Sequence, residues 1–331
     1  MKLALISILA LVLVLGCVGG ERPTTISSTE GIIISAFDTT PSATDVLSGD
    51  SVIFDVEAEN VGGTTAQNVN VVLFGIESQW RETGLDSLVT TSTVKSLGTL
   101  RPPQTDRNVP GDFRAAQWEY KTPRIPEGLT TPLNVEARVT YDYNTNGFIQ
   151  LTAVNDEEYR RQQVTGSTID QPVIQNSAGP LQLSVPSTEK SSFVIVDTTN
   201  GASAEFVYPL KIEFQNVGAG FPIGSETVSG DEDEGKLTGT IKLLGPGVMF
   251  SNCLGFNDVT EINLGLAGQN TESVIVRLRD TQNVPIVCNL KFNTGIWKDR
   301  PTDKVNLVFD INYRYFTKQT ATVNVIGRRT E

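Results

Sequence analysis

The residue type that would carry most chemistry does not occur: among 331 residues there is no histidine. Ser-His-Asp and Cys-His nucleophile systems are therefore excluded, as are HExxH zinc enzymes and any His-ligated metal site. What remains is sparse. Ser92-Thr93-Val94-Lys95 and Ser187-Thr188-Glu189-Lys190 fit Ser-x-x-Lys, the acylating pair of penicillin-binding enzymes. That chemistry needs the serine at a helix start and a companion Lys-Thr-Gly or Ser-Asp-Asn, and neither companion is in the chain. Both matches fall in β or loop context and read as chance. Asp231-Glu232-Asp233-Glu234, between Gly230 and Gly235, offers carboxylates to calcium. Successive acids on an extended chain point in opposite directions, and EF-hand spacing is missing, so a solvated loop is the first reading and calcium the second. Trp80, Trp118 and Trp297 offer faces on which a sugar can stack. Trp118 alternates with Tyr120 and reads as core, whereas Trp80 and Trp297 stand beside charged residues near loops and are the ligand-binding candidates. Carboxylate pairs of the glycosidase kind are defined by their separation in space, which sequence does not give. No catalytic residue, metal ligand or cofactor is assigned, and an enzyme is not expected.

The N-terminus carries an address. Met1-Lys2 is followed by an apolar run from Leu3 to Leu15, interrupted only by Ser7. It is short for a membrane span and has the length of a signal-peptide core. It ends Leu13-Val14-Leu15-Gly16-Cys17, then Val18-Gly19-Gly20. A small residue before a cysteine at the end of such a run resembles the lipobox of prokaryotic lipoproteins, and the Gly-Cys-Val-Gly-Gly form is similar to archaeal ones. The resemblance implies cleavage after Gly16, a lipid on the Cys17 thiol and residence on the outer face of the cytoplasmic membrane or cell surface. Residues 17–30, rich in Gly, Thr, Ser and Pro, then read as a flexible tether. An ordinary secretory signal that happens to contain a cysteine is the competing reading.

With Cys17 set aside, Cys253 and Cys288 remain. Two cysteines in one β-rich domain of an exported protein read as a disulfide, with a pair of buried free thiols as the alternative. A metal site is not expected, since there is neither a CxxC pair nor a histidine.

The elements that must position these residues are strands. Apolar residues make up 39% and charged residues 19%, enough for a packed core. The net charge of −12 argues against nucleic acid as a partner. Thr, which favours strands over helices, occurs 37 times. Ser51 to Glu59 runs as a strand into Asn60-Val61-Gly62-Gly63, and 67–75 is a second. Pro132 to Tyr143 and Gly147 to Val154 are expected to form a hairpin across Asn144-Thr145-Asn146, a turn composition. Asp156 to Gln163 suits a short helix. The fold class is all-β, with sandwiches rather than alternating β and α units.

The second half repeats this order. Val207 to Gln215 enters Asn216-Val217-Gly218, and Val305 to Phe316 is expected to form a hairpin with Lys318 to Ile326. Glu59-Asn60-Val61-Gly62 aligns with Gln215-Asn216-Val217-Gly218 at an offset of 156. Leu97-Gly98-Thr99-Leu100 aligns with Leu264-Gly265-Leu266-Ala267 at 167. Val139-Thr140-Tyr141-Asp142-Tyr143 aligns with Ile311-Asn312-Tyr313-Arg314-Tyr315 at 172. The growing offset marks insertions in the second copy, 224–235 among them, and the whole reads as an internal duplication. Asn-Val-Gly suits a strand leaving its sheet, because Asn and Gly tolerate positive φ.

This series resembles the CARDB and NEW3 group of Ig-like domains. In the second copy Ser273 to Leu278 and the cysteine pair replace the aromatic strand Trp118-Glu119-Tyr120. The resemblance implies two Ig-like sandwiches, at 31–163 and 180–327, joined by a linker at 164–179. It also implies a spacer, adhesion or envelope-assembly role, with an envelope protein or glycan as partner. A surface lipoprotein that binds a glycan or small molecule for a membrane system is the alternative.

Overall fold

The computed structural model describes residues 26–42, 45–85, 87–90, 94–186, 193–199, 204–223, 235–265, 276–277 and 284–328. Its strands in the first half are β1 (Ile32–Thr40), β2 (Val46–Leu47), β3 (Ser51–Asn60), β4 (Ala66–Phe74), β5 (Arg81–Glu82), β6 (Lys95–Leu100), β7 (Phe113–Lys121) and β8 (Thr130–Asn155). They continue as β9 (Val173–Asn176), β10 (Leu181–Ser184), β11 (Phe193–Val196), β12 (Glu205–Asn216), β13 (Phe221–Ile223), β14 (Lys236–Leu244) and β15 (Val248–Asn252). The last four are β16 (Glu261–Leu264), β17 (Val276–Arg277), β18 (Val284–Asn293) and β19 (Thr302–Ile326). Among the described residues there are also two short α-helices, α1 (Asp156–Thr165) and α2 (Thr294–Lys298), and a 3-10 turn at Thr105–Arg107. The chain is all-β, as its composition implies. Helix α1 forms where the sequence placed it. The Asn155 side chain accepts from Glu158 N at 2.8 Å, three acids occupy the first turn, and Gly166 closes the helix at φ 70°.

The duplication is visible in the sheets. β1-β3-β7-β5 form one four-stranded sheet and β10-β12-β18-β15 another, built from the corresponding segments of the two halves. Burial along β3 alternates until its last residues, as expected of a strand with one face on a core. Both sheets cover a third, whose central order is β16-β14-β19-β8-β4-β6, symmetric about its middle. The aligned glycines Gly98 and Gly265 share a φ of 72°. One hydrophobic cluster runs through both halves.

The middle of that third sheet departs from the sequence expectation. Neither hairpin forms. β8 and β19 are single long strands that pair antiparallel without a break, from Thr302↔Val154 to Ile326↔Thr130. The first part of β8 pairs with β4 of its own half, and the first part of β19 pairs with β14 of its own half. The later part of each crosses into the other half. There β19 is flanked in parallel by β2, at Val325↔Val46, and β8 is flanked in parallel by β11, from Phe193↔Thr152 to Val196↔Asn155. Each sandwich is therefore completed by a strand from the other.

Local chemistry explains why the turn composition stays straight. Asn144 donates to Asp310 and, at 3.0 Å, to Asn312 on β19, and Asn146 donates to Asn144 at 3.1 Å. The amides thus form a cross-strand ladder instead of capping a turn. Thr145 is fully buried and donates to Leu181 O at 3.1 Å. Gly147 is not a turn residue either. A Cβ there would lie 2.0 Å from Gln175 O, because β9 packs alongside.

Residues 164–179 contain β9, which pairs with β8 from Gly147↔Asn176 to Gln150↔Val173. Asp170, just before it, meets Lys304 at 2.6 Å. The segment between the halves is thus an edge of the shared sheet.

Candidate functional site

The exchange has a centre. β8 pairs with β19 at Asp142↔Arg314, residues that hold the same place in the two repeats. A pseudo-two-fold axis passes between them. Their neighbours are then exchanged by the axis, so Tyr141 faces Tyr315 and Tyr143 faces Tyr313. Because strand side chains alternate, the four tyrosines share the inner face while Asp142, Asn144, Asn312 and Arg314 share the outer.

On the inner face the four rings close a cycle, with centroids 5.7 to 6.3 Å apart in tilted or edge contacts. Such pairs contribute about 0.5–1.5 kcal/mol each beyond area burial. All four are buried, and burial pushes the Tyr141, Tyr143 and Tyr313 phenols above their ordinary value. Tyr313 and Thr145 hydroxyls meet at 3.0 Å.

The other repeat landmarks converge on this cluster. Asn60, fully buried, donates to Thr64 O at 2.9 Å and to Leu100 O at 2.8 Å, and accepts from Gly62 N at 3.1 Å. It thereby ties the Asn-Val-Gly segment to the Leu-Gly-Thr-Leu strand. In the second half Asn216 donates to Gly220 O at 3.2 Å and accepts from the Tyr315 hydroxyl at 2.7 Å. Positive φ is not the reason for these glycines, since neither Gly62 nor Gly218, nor the asparagine before each, adopts it. The reason is close approach. A Cβ on Gly62 would stand 2.1 Å from the Tyr143 hydroxyl, and one on Gly218 would stand 2.8 Å from that of Tyr315. Glu30 adds a link across the halves by accepting from Ala219 N at 3.0 Å. Burial raises its carboxyl above the ordinary value, and the Ala219 hydrogen bond partly opposes that.

On the outer face lies a groove of about 540 Å³. Gln67, Asp142, Asn144, Lys236, Asn312 and Arg314 are among its lining residues. Asp142 accepts from Asn68 at 2.6 Å and lies 3.9 Å from Arg314. The groove presents acceptors and cationic donors together, side-chain types that can hydrogen-bond a small polar molecule.

The residues singled out in the sequence fall elsewhere. Trp80 and Trp297 are both 0% exposed. Trp80 packs edge-on against Phe54 at 5.3 Å and Trp297 against Phe292 at 5.5 Å, with the Trp297 ring N–H donating to Pro246 O at 2.9 Å. Both are core residues with no face for a sugar, which corrects their reading as ligand candidates; neighbouring charges had suggested exposure. Trp118 and Tyr120 are buried, as their alternation implied. Cys253 and Cys288 are brought to sulfur–sulfur bonding distance, Cα atoms 4.2 Å apart, joining β18 to the segment after β15. Cys17, the tether up to residue 25, Ser187–Lys190, Ser92-Thr93 and Asp231–Glu234 lie outside the described residues. Among the described residues no group of three or more Cys, Asp or Glu side chains is arranged to hold a metal ion, and no helix is long and apolar enough to cross a membrane.

The centre at Asp142 and Arg314 was missed in the sequence, although the signal was present. Two equivalent motifs that pair about a two-fold axis must bring equivalent residues face to face, and Val-Thr-Tyr-Asp-Tyr and Ile-Asn-Tyr-Arg-Tyr differ there by opposite charges. No protein-family model matches the chain, and no curated protein matches it.

Proposed function

We propose that this chain is a non-enzymatic lipoprotein of a prokaryotic, archaeal-type envelope. It is anchored through Cys17 on the outer face of the cytoplasmic membrane or cell surface and acts as a spacer, adhesion or assembly module. The observation that carries the reading is Leu15-Gly16-Cys17 at the end of the apolar run. Two attached chains give stable membrane residence where one gives only reversible binding. The Cys253–Cys288 geometry supports it, because structural disulfides belong to oxidising compartments. The architecture supports a structural role. Two β-sandwiches that share strands through one sheet hold a fixed relative position, which suits a spacer, and we take them as Ig-like domains of the CARDB and NEW3 kind. Replacing Cys17 by Ser should move the mature chain from the membrane fraction to the soluble one and remove the lipid mass. Retention in the membrane at unchanged mass would refute the anchor.

The second reading, capture of a glycan or small polar molecule, is favoured by the groove at the two-fold axis. Titration with neutral and acidic saccharides tests it. Heat of binding lost in Asp142→Asn and Lys236→Gln would support capture, and no heat with either class would remove it.

A further inference from the structure

We propose that the first sandwich accepts the late part of β19 from a second copy of this chain as well as from its own, so that two copies form a reciprocal strand-exchanged dimer. The acceptor is the edge of β8 from Thr130 to Tyr143, which has no closing strand from its own half. Residues 314–326 now fill it, in the register Leu133↔Val323, Val135↔Ala321 and Asp142↔Arg314. Fully buried Val323 and Val325 supply the apolar face, Lys318 meets Glu136 at 3.4 Å, and Thr322 donates to Asn134 at 2.8 Å. Each of these contacts is between the acceptor and the donor strand. A donor from another chain reproduces them all, which is the general basis of domain swapping.

The axis also selects the partner. Were two copies of β8 to pair about their own centres, Asp142 would oppose Asp142; two copies of β19 would oppose Arg314 to Arg314. Like charges directly opposite are destabilising, so exchange proceeds between unlike halves. The strands must bend at the axis when the donor goes to another chain. Asn144-Thr145-Asn146 has the composition for that bend, held straight in the single chain by the Asn144 contacts to Asp310 and Asn312. Linkage within one chain favours the self-filled form at low concentration, and a higher concentration of the chain raises the share of the exchanged one. The inference does not depend on the lipid anchor.

Asn134 and Thr322 are exposed and directly opposite. In full chains carrying Cys17→Ser, Asn134→Cys and Thr322→Cys are placed on separate molecules, unfolded without reductant, refolded together over a range of concentrations and oxidised. The expected result is a covalent 134–322 heterodimer, mapped by mass spectrometry, whose yield rises with concentration and which is absent when the two are folded separately and then mixed. The double variant on one chain should close its bond internally. Internal closure without any interchain 134–322 bond at any concentration overturns the proposal, and failure of the double variant to close overturns it too, by removing the pairing it rests on.

Discussion

At the scale of single residues, glycine and tyrosine decide the geometry around the axis. Gly62→Ala places a methyl group against the Tyr143 hydroxyl and Glu30 O, and Gly218→Ala does so against Pro180 and the Tyr315 hydroxyl. Overpacking of this kind costs about 1–3 kcal/mol. Urea denaturation should show that loss for each. Tyr143→Phe should recover part of it for Gly62→Ala, with the Glu30 carbonyl keeping the rest. Glu30 gives a pH signature. Its carboxyl is raised in the fold, so the native state holds the proton to higher pH than the unfolded chain. Its ionisation therefore costs stability as pH rises from the ordinary carboxylate range through the raised value. Glu30→Gln keeps an acceptor for Ala219 N and cannot ionise. It should melt above the parent at neutral pH and converge with it in acid; a difference that grows toward acid would contradict the burial argument. Sequence carried the identity of these landmarks but not their contacts. Asn60, Gly62 and Tyr143 are spread over more than eighty residues, and the reason Gly62 must be glycine is an atom of Tyr143 that no local rule supplies.

At the scale of elements, strand content, the helix after Asn155 and the order of the duplicated sheets follow from alternation, capping and turn composition. The two hairpins do not, because a turn signal reports what a segment tolerates and not which partner strand wins. Asn144-Thr145-Asn146 tolerates a turn, yet the pairing of β8 with β19 satisfies the same amides in extended form and adds the tyrosine contacts. The cysteine pair acts on the same elements. Its 35-residue separation gives roughly 3–4 kcal/mol in the loop-entropy picture. Because β8 and β19 run through both sandwiches, Cys253→Ala with Cys288→Ala should lower the melting of the whole unit in one transition. Two separated calorimetric transitions, with only one shifted, would show that the sandwiches unfold independently.

At the scale of the whole molecule, the shared strands join the two repeats through one sheet and one hydrophobic cluster. A cut within 164–180 should therefore leave the two pieces together: nicked protein should elute at the size of the intact chain in buffer and separate only in denaturant. The same continuity fixes the two sandwiches relative to each other, which a pair of beads on a free linker would lack. Reciprocal completion of each sandwich is tested most directly by methyl NOE spectroscopy of the intact, specifically labelled chain. The exchanged arrangement places Val323 opposite Leu133, so cross-peaks between their methyl groups are expected. Cross-peaks joining Val323 instead to Ile311, as a hairpin within the second half would give, with none to Leu133, would contradict it.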